Sequence, residues 1–178
     1  MELKVEVGFK LEKDFKYYDK MLIQHGLKKV FCCFTHDVYY TKEKSFDGLT
    51  ENEIKNKCIR LRYADKSSDN KEEVIDIEKE NLLISKGYIK IFDTYKKDCH
   101  YMSKELNGCV QLQEIDNLGL VVYYDNPDYY GLNLEEQRNL LIKDLNIFGF
   151  SFKESDLGID KLRTFYYKKE MFSKNQNG

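Results

Sequence analysis

From Glu2 to Leu11 the chain alternates strictly: Leu3, Val5, Val7, Phe9 and Leu11 are apolar, and Glu2, Lys4, Glu6, Gly8 and Lys10 stand between them. Successive side chains of an extended chain point to opposite faces. The run therefore predicts a strand between two environments, one apolar and one carrying charge of both signs. Such a charged face suits water, as on the outer side of an antiparallel sheet, and equally suits a lined interior.

Further extended runs follow. Lys29 to Thr41, Lys57 to Tyr63, Val74 to Glu78, Tyr88 to Tyr95, Asn107 to Ile115 and Leu120 to Asp125 are rich in aromatic and β-branched residues and read as strands. A polar loop containing Asp47-Gly48 and Glu51-Asn52-Glu53 separates the first two of these, and Lys66 to Glu73 is a polar hairpin or loop. Gly119 introduces the last run, which ends at the single proline, Pro127, in a tyrosine-rich turn.

Two helices have legible ends. Asp14 can cap one running to about His25, with Phe15, Tyr18, Met21 and Leu22 as its apolar stripe and Gly26 as its stop. Asn133 can cap another reaching Leu145, with Glu135 and Glu136 in its first turn and Leu134, Leu141 and Leu145, with Gln137 or Arg138, at helical spacing. Several strands with two or three helices make an α+β fold dominated by an antiparallel sheet.

The length of 178 residues suits one domain with its own core, placed at 1–170, followed by a polar tail at 171–178. Near cancellation of 29 basic and 31 acidic residues leaves no global field for duplex nucleic acid or an anionic membrane, so any anion site must come from local placement. The N-terminus has no signal-peptide core and no apolar run reaches membrane-spanning length, which points to the cytoplasm. Cys32, Cys33, Cys58, Cys99 and Cys109 are odd in number and without zinc-ligand spacing, so reduced, mostly buried thiols are expected. Packing and turns account for most of the fourteen tyrosines better than a base-stacking surface does.

Arg60 and Arg62 flank Leu61 in one extended run, so both guanidiniums face one side and can jointly hold phosphate oxygens. Here a family resemblance emerges. Lys4-Val-Glu-Val-Gly-Phe-Lys10 resembles the opening Glu-x-Glu-x-Lys strand of the CYTH, or triphosphate tunnel, superfamily. Thr35-His-Asp-Val-Tyr-Tyr40 resembles its aromatic second strand, and Ile59-Arg-Leu-Arg62 its Leu-Arg-x-Arg strand. Val110 to Gly119 resembles the segment leading to its late Leu-Gly-x-Phe-x-Glu-x-Glu strand.

The resemblance implies an antiparallel barrel or tunnel of about eight strands with a few flanking helices. Inward cations there would bind a triphosphate, and carboxylates would hold Mg2+ or Mn2+ for hydrolysis or cyclisation. It implies Glu6 and Asp125 as catalytic carboxylates and metal ligands with Glu2 beside them, and Arg60, Arg62, Lys10 and Lys4 as phosphate ligands. Hydrolysis needs only the phosphate grip and an aligned water. Departures are equally clear: Lys4 stands at the first glutamate position, Gly8 at the lysine, and Tyr123 at the first late glutamate. Lys90, Lys96 and Lys97 align with the family's next lysine only ambiguously. A metal-dependent triphosphatase and a catalytically degenerate barrel that binds a phosphorylated ligand or a protein are therefore both expected readings.

Overall fold

A computed structural model of the chain describes residues 4–65, 77–153 and 157, apart from the side chains at 51, 52, 64 and 65. The proposed loop at Lys66 to Glu73, residue Glu2 and the polar tail lie outside the described residues. Strands β1 (Val7–Lys10), β2 (Lys28–Thr41), β3 (Cys58–Asp65), β4 (Ile89–Met102), β5 (Cys109–Ile115) and β6 (Gly119–Asp125) form one sheet in the order β1-β6-β5-β4-β2-β3. Four α-helices accompany them: α1 (Phe15–Gln24), α2 (Glu51–Lys57), α3 (Ile77–Ser85) and α4 (Leu134–Ile147).

The expected barrel of about eight strands is corrected to a six-stranded antiparallel sheet whose edges are β1 and β3. Closure requires every strand to be paired on both sides. Among the described residues β1 is four residues long and pairs only with β6, and one expected strand is in part a helix. That strand was Val74 to Glu78. Its alternation ends at Ile77, where Glu78-Lys-Glu-Asn-Leu-Leu brings strong helix formers and α3 begins with Glu78 and Glu80 in its first turn. The expected loop at Glu51-Asn52-Glu53 is likewise a helix, α2, started by a capping box in which the Thr50 side chain accepts from Glu53 N and Glu53 answers to Thr50 N.

The chain divides into two compact units. Unit 1 comprises Met1–Phe34 and Lys96–Ile159, and unit 2 comprises Thr35–Tyr95 and Asp160–Gly178, so β2 and β4 each contribute residues to both. In unit 1 the odd positions of β1, Val7 and Phe9, join Val110, Leu112, Val122 and Tyr124 against Leu22, Leu141 and Leu145. Helix α1 is held as expected, with Asp14 accepting from Tyr17 N at 2.8 Å and Gly26 leaving the helix at φ +83°. In α4 the expected stripe keeps Gln137, Leu141 and Leu145 and loses Leu134. Leu134 is exposed, while Gln137 is buried, taking Val5 N on its carbonyl at 3.1 Å and giving its amide to Leu132 O at 2.9 Å. Those two bonds let a polar residue occupy a core position.

The cysteine expectation also changes. Cys32 on β2 and Cys99 on β4 are joined in a disulfide, because neighbouring strands bring together residues 67 apart in sequence. Cys33, Cys58 and Cys109 remain thiols. No helix among the described residues is long and apolar enough to cross a membrane.

Candidate functional site

In unit 1, β1 and β6 run antiparallel in a register that sets Val7 opposite Tyr124 and Gly8 opposite Tyr123. Continued by one residue, that register brings Glu6 to Asp125, the two expected carboxylates. Both lie around Tyr130, which the sequence did not single out. Its hydroxyl donates to Asp125 Oδ2 at 2.7 Å, and this bond, burial and the charges of Asp125 and Glu6 push the phenol up to about 12. Lys4 joins them, its Nζ 4.9 Å from the centre of the Tyr130 ring. Lys10 does not: it lies at the other end of β1, its Cε 3.5 Å from where a Cβ on Gly119 would stand.

The two departures at Gly8 and Tyr123 prove to be one feature. They are cross-strand partners, and a Cβ on Gly8 would stand 2.6 Å from Tyr123 Cδ1. The tyrosine ring therefore lies over the glycine, in space a longer side chain at position 8 would need.

Beside these strands, β4 and β5 place Asp98 opposite Gln113 and His100 opposite Gln111. Asp98, 5% exposed, faces Lys96 Nζ at 3.4 Å, His100 Nε2 at 3.2 Å and Gln113 Nε2 at 3.0 Å. Burial alone would raise the Asp98 carboxyl, but the His100 hydrogen bond and the Lys96 charge outweigh it and hold it below the usual carboxylate range. The same bond to Asp98, with Cys109 second, lifts His100 to about 9, so the ring is cationic at neutral pH. Lys96 is thus committed to Asp98. Lys97 covers the Phe15 ring at 3.9 Å.

In unit 2, Arg60 and Arg62 share one face of β3, as their spacing predicts, and meet there a residue that the spacing could not reveal. Arg62 grips Asp37 on β2 with two prongs, Nε to Oδ1 at 2.6 Å and Nη2 to Oδ2 at 2.8 Å, while Arg60 Nη1 stands 4.0 Å from Oδ2. The carboxylate is 2% exposed, but the arginine side chains remain 48% and 35% exposed for Arg60 and Arg62. Tyr39 completes this face: burial and the Asp37 charge raise its phenol against the opposing pull of Arg60. On the other face His36 stacks on Tyr95 at 4.2 Å and approaches Asp93 at 3.5 Å, and Lys90 pairs with Asp93 at 2.8 Å. Of the three ambiguous lysines, therefore, each has a specific partner.

As metal ligands, the described residues offer Glu6 and Asp125, and no group of three or more metal-ligating side chains occurs among them. One oxygen of Asp125 is occupied by Tyr130. Two carboxylates fit a magnesium shell only where water and phosphate oxygens supply the rest.

Neither a family model nor a curated protein matches the sequence. Solved structures do match. A candidate adenylate cyclase from Vibrio parahaemolyticus aligns over 92% of this chain and 98% of its own, with a TM-score of 0.62 at 15% identity. A protein of Pyrococcus horikoshii aligns over 94% and 98% with a TM-score of 0.60 at 13% identity. A candidate adenylate cyclase from Bacillus halodurans aligns over 93% and 98% with a TM-score of 0.53 at 11% identity. At such identities the likeness is one of fold, and it is the fold that the ordered motifs resemble: the chain is a divergent protein with the CYTH-like fold.

Proposed function

We propose that the chain binds a small molecule bearing a triphosphate or similar polyphosphate, with Arg60 and Arg62 as its phosphate ligands. The observation that carries this reading is the pair of guanidiniums drawn to one buried carboxylate while keeping much of their own surface in solvent. Asp37 sets one negative charge against the two guanidiniums. A polyphosphate carries more charge than a carboxylate and presents oxygens that match the guanidinium fork, so it can recruit Arg60 outright and share Arg62.

Mg2+ or Mn2+ would be held, if at all, by Glu6 and Asp125, and would supply neutralisation of phosphate charge. The residues around those carboxylates favour binding over turnover. Tyr130 engages Asp125, and Tyr123 fills the space above Gly8. This supports the second reading, a degenerate member of the fold that retains a phosphoryl ligand without hydrolysing it.

Calorimetric titration with tripolyphosphate at low salt tests the binding, which Arg60→Ala and Arg62→Ala should each weaken and added salt should screen. No heat of binding at low salt overturns it. Release of phosphate from tripolyphosphate or thiamine triphosphate with Mg2+ or Mn2+, abolished by Glu6→Gln, would establish the hydrolase instead.

A further inference from the structure

We propose that Thr35 is a further ligand-binding residue, its hydroxyl donating a hydrogen bond to a phosphoryl oxygen of the polyphosphate held by Arg60 and Arg62. This rests on the phosphate-binding reading above and extends it by a neutral donor within unit 2.

Thr35 is 4% exposed, and its Oγ1 is buried with no hydrogen-bond partner among the described residues. Such a group is uncommon, because a buried hydroxyl that gives up water without gaining a partner destabilises the fold. The contrast with Thr41 on the same strand is direct. That hydroxyl donates to Lys57 O at 2.9 Å and accepts from Glu43 N at 3.1 Å. Thr35 has a β-branched shape that valine would match, so packing alone does not call for its oxygen.

Its position supplies the reason. Thr35, Asp37 and Tyr39 are alternate residues of β2 and lie on one face, each about 6.6 Å from the next along the strand. That is the face on which Asp37 holds Arg62 and Arg60, with both Asp37 oxygens already engaged by Arg62. A hydroxyl one strand repeat from the carboxylate that gathers the guanidiniums lies within the span of a chain of linked phosphates. A charge-assisted hydrogen bond from a buried hydroxyl to a phosphate oxygen is also stronger than one between neutral groups.

Thr35→Val tests this with two readouts of opposite sign. Titrated with tripolyphosphate at low salt, the variant should bind roughly tenfold more weakly than the unmodified protein, and Thr35→Ser should stay within about threefold of it. In the absence of ligand, Thr35→Val should melt at or above the unmodified protein's temperature, because it removes an unsatisfied hydroxyl. An unchanged affinity in Thr35→Val, alongside a loss in Arg60→Ala, overturns the role of Thr35 and leaves the arginine site standing. A lower melting temperature or a failure to fold also overturns it, by revealing a structural bond. If the unmodified protein does not bind tripolyphosphate, both readings fall.

Discussion

The charged groups of unit 1 are drawn into buried contacts, whereas the cations of unit 2 stay at the surface. In unit 1 the buried Asp98 is shared by Lys96, His100 and Gln113, Asp125 is taken by Tyr130, and Tyr123 lies over Gly8. In unit 2 the buried Asp37 also gathers two cations, but these are guanidiniums whose side chains keep much of their surface in solvent. Both arrangements set two positive groups on one aspartate. What separates them is how much the cations are buried and whether they titrate: a buried ammonium and an imidazole lock a face, while two permanently charged guanidiniums in solvent leave it open to an anion.

The difference should appear most strongly in stability. Asp98→Ala removes the ion pair that Asp98 makes with the buried Lys96, and should cost about 3–5 kcal/mol in urea unfolding. Asp37→Ala leaves guanidiniums that water can solvate, and should cost about 1 kcal/mol. Equal losses would erase the distinction between the two faces.

A smaller effect tests how tightly unit 1 is filled. Gly8→Ala places a methyl against the Tyr123 ring and should destabilise by about 1–3 kcal/mol. In a Tyr123→Ala background the same change should cost far less. Unrelieved destabilisation would locate the strain in the backbone of β1 rather than under the ring.

Smaller still is a dependence on pH. His100 is raised from 6.5 to about 9 in the folded chain by Asp98 and then Cys109, so its contribution is complete below pH 6.5 and fades as pH climbs through about 9. Melting temperatures of the unmodified protein and His100→Gln should therefore converge between pH 6.5 and 10. Tripolyphosphate binding by the two should be alike throughout, since Arg60 and Arg62 do not titrate there.

Much of this arrangement was legible in short patterns. The alternation of Val5 to Lys10 gave β1 its buried side, Asp14 and Asn133 were recognisable helix caps, and the Arg60/Arg62 spacing fixed their shared face. Thr50 and Glu53 carried the signal of a capping box that could have revealed α2. Long-range partners had no such signal. Asp37 lies 25 residues from Arg62, Cys32 lies 67 from Cys99, and nothing local connects either pair. Gly8 and Tyr123 looked like two unrelated departures until the β1–β6 register made them neighbours. Of the expected strand Val74 to Glu78, Ile77 and Glu78 open α3, because a short period-two pattern does not outweigh a following run of helix formers.

The most direct test of the account is calorimetric titration of tripolyphosphate at low salt into the unmodified protein, His100→Gln and the double variant Arg60→Ala/Arg62→Ala. The account predicts saturable binding in the first two, weakened by salt, and none in the double variant. Binding that survives loss of both arginines would contradict it.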